Sequence, residues 1–249
     1  NFTKAERGQV TIWFGGLTLR HEQLILAGLE GLGYKAGIVP TPAKPDFQAG
    51  KEYGNNGQCN PTYFTVGALV NHLKRMRDEE NIPLEKILSD HVFITAGACG
   101  PCRFGMYEAE YRLALRNSGF DGFRVLLFQQ GGGLDQSAVE AGLEFNLNFF
   151  LSLLNAMFMG DVINEVAYQI RPYEVGQEDE VFARCMDICR EALQKRNYDE
   201  IHGGVLAKML SKVSPVKTPA DAAKFLDQLK GTYYAEVFDE CRRLIEEEI

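Results

Sequence analysis

Cys99 and Cys102 stand three positions apart in "TAGACGPCRFGMYEAEY", residues 95–111, a glycine-rich bend between a β-like run and a helical pattern. Two thiols at that spacing suit a disulfide, a redox dithiol, a zinc knuckle, a nucleophile or two corners of an iron–sulfur cluster. A third thiol, Cys59, lies in "NNGQCNPTYF", directly before another helix start. A thioredoxin-like dithiol wants C-x-x-C at a helix N-terminus, where the dipole lowers the thiol pKa, and needs no third cysteine. A closed zinc site takes four ligands, and His91, the one histidine near in sequence, opens a strand at the far edge. An iron–sulfur cluster is held by cysteine thiolates, and three of them leave one iron open. Gly97, Gly100 and Gly105 would let backbone N–H groups approach sulfide, and two helix N-termini would face the cluster's negative charge. Spacing and placement favour iron–sulfur, with zinc and structural or redox thiols as the alternatives.

The elements around these thiols read as an α/β fold. Four β-rich runs, "QVTIWF" (9–14), "YKAGIV" (34–39), "HVFITA" (91–96) and "FRVLLF" (123–128), alternate with helical patterns. In "LRHEQLILAGLEGLG" the apolar residues Leu24, Ile25, Leu29 and Leu32 recur at helical spacing, and Gly33 supplies the stop. Gly119 ends the helical pattern after the C-x-x-C bend in the same way. The second connection holds a loop rich in Pro, Gly and Asn over residues 41–60, then a helix over 62–80 with Asn60 as N-cap and Pro61 at the first helical position. Such alternation predicts an open, mostly parallel sheet with helices on both faces. Ligands of such sheets bind beyond the carboxyl ends of the strands. Gly15 and Gly16, Cys59, the C-x-x-C segment, and Gln129, Gln130 with Gly131–Gly133 all fall on that edge.

From residue 143 the texture is helical, with helices expected near 138–168, 178–196, 200–212 and 219–248 and a break at "RPYEVGQ". The division expected is an α/β iron–sulfur lobe over 1–142 and a helical region over 143–249, packed on the lobe and leading to a second lobe not present here. Cys185 and Cys189 share one helix face among Phe182, Met186 and Ile188, and with Cys241 they read as core packing. His21, His72, His91 and His202 have no i, i+4 partners and read as surface or core residues. Arg103 follows the second thiol and is assigned to cluster charge balance or an acidic substrate, against an ion pair with Glu108 or Glu110. Gln130 is assigned to substrate or cluster sulfide, against a loop hydrogen bond.

A formal charge of −8 argues against a general nucleic-acid binder. No apolar run is read as a membrane span: the most hydrophobic stretch, 145–159, carries Asn146, Asn148, Ser152 and Asn155, as a buried helix would. Six cysteines in 249 residues are too few for a disulfide-stapled secreted domain, and "NFTKAERG" has no signal-peptide core, so a reducing cytoplasm is expected. The start without Met and the end in mid-helix suggest a processed chain or a piece of a longer one.

"GACGPCRFGMYEAEYRLALRNSGFDGFRVLLFQQ" (97–130) resembles the cysteine loop of the 2-hydroxyacyl-CoA dehydratase and benzoyl-CoA reductase-like iron–sulfur proteins, nearest to the dehydratase-like part of their large activase-related members. "NNGQCNPTYFTVGALV" (55–70) resembles that family's other segment, a Cys-x-Pro before a helix. The resemblance covers roughly residues 9–175. It implies that Cys59, Cys99 and Cys102 hold an oxygen-sensitive cluster, a [4Fe–4S] or, as in some relatives, a double cubane. It also implies low-potential electrons from an ATP-hydrolysing activase and radical dehydration or reduction of a small, in some members CoA-linked, substrate. The family's subunits have two α/β lobes where this sequence has one plus helices, and no G-x-x-x-x-G-K-[ST] phosphate loop is present. The electron-accepting component, homo- or hetero-oligomeric, is therefore the role implied, not the ATPase. The alternative is a non-catalytic cluster- or zinc-stabilised domain of a larger activase-related protein.

Overall fold

Four short runs of β-branched and aromatic residues pair as a parallel sheet: β1 (Thr11–Phe14), β2 (Ala36–Ile38), β3 (His91–Gly97) and β4 (Arg124–Gln129), in the order β2-β1-β3-β4. The structure, a computed structural model, describes residues 2–97, 103–129, 142–144, 147–170, 178–195 and 233–248. All three pairings are parallel, with Trp13 opposite both Gly37 and Phe93, and Gly97 opposite Gln129. The α/β class and the parallel sheet read from the sequence are those of the structure.

Side chains of successive strand residues point to opposite faces. Ile12 and Phe14 of β1, Val92 of β3 and Leu126 of β4 join one core. On that side lie α1 (Leu19–Gly31), α6 (Leu147–Ile170) and α7 (Glu178–Lys195), with α8 (Tyr233–Glu248) packed on α7. Phe93 and Val125, one position along, join the other core with α3 (Asn60–Asp78) and α5 (Tyr107–Asn117). Helices thus cover both faces, and the first core draws residues from both sides of position 143.

Two helices were not legible as such. Residues Lys44–Tyr53, inside the stretch read as a loop, form α2, and Leu84–Asp90 form α4. The Ala43 N–H donates to Asp46 Oδ2 at 2.7 Å and Pro45 sits in the first turn, so the Pro-rich sequence starts a helix. α2 packs closely on α3 because both carry glycine at the crossing. A methyl on Gly67 would overlap the Asp46 carbonyl, and one on Gly50 would overlap the Tyr63 carbonyl. Asn71 Nδ2 donates to Asp46 Oδ1 at 2.9 Å across the same contact.

The most apolar helix, α6, runs over Leu147–Ile170, where a helix near 138–168 is expected from the sequence. Asn148–Tyr168 of α6 is apolar enough, by length and composition, to cross a membrane, yet 39% of that window is buried. Its inner residues Phe149, Ala156, Met159 and Ile163 pack in the first core, and a methyl on Gly28 of α1 would overlap Ser152. The expected helices near 200–212 and over 219–232, and the break at 171–177, lie outside the described residues.

Gly67→Ala tests the glycine contact. Alanine gains about 1 kcal/mol of helix propensity, but overlap with backbone forces α2 away from α3. Urea unfolding is expected to show a net loss of about 1–3 kcal/mol, and unchanged or raised stability would contradict the contact.

Candidate functional site

The order β2-β1-β3-β4 reverses direction between β1 and β3, and this switch point is where open parallel sheets leave a crevice at the strand carboxyl ends. Gly15 and Gly16 leave β1 there, β3 ends there at Gly97, and Thr65 of α3 lies near Gly16. A small cavity of about 10 Å³, room for about one water, is lined by Gly15, Gly16, Val39, Thr65 and Tyr111. Two backbone N–H groups of the turn after β1 are already engaged. Buried Glu22 accepts from Leu17 N at 3.0 Å and from Gly16 N, and burial raises its pKa above the usual carboxylate range.

Cys59, not Asn60, is the N-cap of α3, in extended backbone, and the helix begins one residue earlier than read. The thiol is exposed and free. Its Sγ lies 3.0 Å from Thr62 Oγ1, one helical turn on, and 3.4 Å from Tyr107 Oη, at the start of α5. Hydrogen bonding by the Thr62 hydroxyl, then by Tyr107, draws the Cys59 pKa down to about 7. About half of the exposed sulfur is then thiolate near neutral pH, the form that binds metal.

Glu110, one turn beyond Tyr107, holds the loop in front of Cys59. Its buried carboxylate accepts from Asn55 N at 3.1 Å, Asn55 Nδ2 at 2.7 Å and Gln58 Nε2 at 3.1 Å. Gln58 N donates to Tyr63 Oη at 3.0 Å, and Asn117 Nδ2 donates to Tyr53 O at 2.7 Å. The helix that follows the C-x-x-C segment therefore positions the loop that carries the third cysteine. Sequence reading offered Glu108 or Glu110 as partner for Arg103. Glu108 pairs with Arg112 one turn along and Glu110 serves residues 55 and 58, while the Arg103 side chain lies outside the described residues. Thr62, Tyr107 and Glu110 went unassigned; the one local signal was a hydroxyl three positions after Cys59, the spacing of an N-cap and its N3 residue.

Cys99, Cys102 and Gln130 lie outside the described residues. Arg103 opens a 3-10 turn, Arg103–Met106, that leads into α5, and the Phe104 ring meets the Tyr107 ring edge-on at 5.2 Å. Among the described residues, no three His, Cys, Asp or Glu side chains are grouped to hold a metal ion. Cys185, Cys189 and Cys241 are buried between α7 and α8, and hydrogen bonding to Cys241 with burial pushes the Cys185 thiol far up. His72 is buried against Trp13, and burial, with Arg75 and His91 adding, pushes it down to about 4, so it is neutral in the core. No family model matches the chain, and neither a curated protein nor a solved structure matches it.

Tyr107→Phe removes one hydroxyl from Cys59 and leaves the ring. The pH midpoint for alkylation of Cys59 is expected to move up from about 7 toward the ordinary thiol value. An unmoved midpoint in peptide-mapped alkylation would contradict the contact.

Proposed function

We propose that the chain is an iron–sulfur protein similar to the 2-hydroxyacyl-CoA dehydratases and benzoyl-CoA reductases. It accepts low-potential electrons from an ATP-hydrolysing activase for radical dehydration or reduction of a small substrate. The observation that carries the reading is the approach of Cys59 Sγ to Tyr107 Oη across 48 positions of sequence. It couples the first cysteine to the helix that leaves the C-x-x-C segment, whose second thiol is five residues before Tyr107.

The donor chemistry at Cys59 fits the group. The thiol is exposed, ionises near neutral pH, and sits at the start of a 19-residue helix whose leading N–H groups favour negative charge. Cys99 and Cys102 would complete the set of thiolates. When bound, a cluster supplies one-electron chemistry that side chains cannot. The protein's share is to hold and bias it. The hydroxyls of Thr62 and Tyr107 hydrogen-bond the ligand sulfur, Glu110 fixes its loop, and Arg103 and Gln130 are assigned to charge balance and substrate contact.

A second reading is a non-catalytic cluster- or zinc-stabilised domain that docks an activase. It is favoured by the presence of one four-stranded sheet, with no second sheet among the described residues, where the dehydratase relatives have two lobes.

Cys59→Ala separates these readings from a two-thiol protein. The variant, purified without oxygen, is expected to lose most bound iron and sulfide while its unfolding curve stays that of the parent, because the side chain is exposed. Loss of zinc instead would support the second reading. Full metal retention, or thiol–disulfide activity independent of Cys59, would contradict the three-thiolate site.

A further inference from the structure

Thr18, His21 and Asp161 form a hydrogen-bonded series that the thiol site does not use. Thr18 Oγ1 contacts His21 Nδ1, and His21 Nε2 lies 3.0 Å from Asp161 Oδ1. One neutral tautomer satisfies both contacts: the hydroxyl donates to Nδ1, and the proton on Nε2 goes to the carboxylate. The imidazole is held in place, since its side chain is only 10% exposed and a methyl on Gly160 of α6 would overlap the ring. Thr18 and Asp161 at either end are exposed. Arg20 Nη1 donates to Asn164 Oδ1 at 2.8 Å, and Asn164 Nδ2 sits 3.5 Å from both Thr18 Oγ1 and His21 Nδ1.

Thr18 is the N-cap of α1, yet its hydroxyl makes no bond to the helix N–H groups, the bond by which a threonine ordinarily stabilises that position. The hydroxyl faces the ring instead. The first intrahelical acceptor is Thr18 O, taken by Glu22 N, so the N–H groups before it point out of the helix end beside the hydroxyl. A nucleophilic oxygen, a base, an orienting carboxylate and oriented N–H donors thus stand together on the carboxyl edge of the sheet.

We propose that Thr18, His21 and Asp161 are the nucleophile, general base and orienting carboxylate of a site that hydrolyses small carboxylic esters. Thr18 Oγ attacks the ester carbonyl carbon as its proton passes to His21 Nδ1, and Asp161 stabilises the imidazolium. The N–H groups at the start of α1 face the developing oxyanion. The bond to the alkoxy group breaks, that oxygen leaves with the proton from Nδ1, and Thr18 carries the acyl group. Water, deprotonated by the same nitrogen, releases the acid and restores the hydroxyl.

The test uses p-nitrophenyl acetate with the full chain, following p-nitrophenol release and mapping the acetyl group by mass spectrometry. Acetyl on Thr18 is expected to survive neutral hydroxylamine, which strips a thioester from Cys59. Thr18→Val keeps the shape and exposure of the side chain and is expected to lower the rate about 100-fold or more, as is His21→Gln. Should His21→Gln fail to fold, Thr18→Val decides. A Thr18→Val rate equal to the parent's, or acetyl found on Cys59 and not on Thr18, would overturn the proposal.

Discussion

The carboxylate of Glu110 is the constraint on which the thiol site depends. It is buried and accepts three hydrogen bonds from Asn55 and Gln58, in a loop more than fifty positions away. Without those donors it would stay buried with its oxygens unmet, a loss on the order of 1–3 kcal/mol. The loop is therefore held to α5, and Cys59 at its end is held beside Tyr107. The glycine crossing of α2 and α3 serves the same end from the other side, because it fixes where α3 begins.

That geometry explains why the thiol of exposed Cys59 is drawn down to about 7 while those of buried Cys185 and Cys241 are pushed up. Cys59 Sγ shares hydrogen bonds with two hydroxyls at the open end of a helix. Cys185, Cys189 and Cys241 lie in an apolar seam between helices, and burial there helps to push the Cys185 and Cys241 thiols up. Exposure and donors divide the four described thiols into one chemical and three structural ones.

The strands were legible because β-branched and aromatic runs alternate between two apolar cores, and the helices α1, α3 and α5 because their apolar residues recur at helical spacing. α2 was not, since "KPDFQAGKEY" has few apolar residues and takes its stability from close contact with α3 and from the Ala43–Asp46 bond. Cys59 was legible as a candidate; Glu110 was not, because its partners are set by tertiary packing. His21 was read as a bland core or surface residue for the same reason: Asp161, its partner, is 140 positions away. Local pattern identifies elements and suggestive residue types, while long-range polar contacts decide which of those residues meet.

The central claim is that three thiolates on one sheet edge hold an iron–sulfur cluster. The most direct measurement is iron, acid-labile sulfide and zinc per chain on protein purified without oxygen. The account predicts about four iron and four sulfide, or roughly eight of each for a double cubane. One zinc per chain, or no metal in intact anaerobic protein, would contradict it.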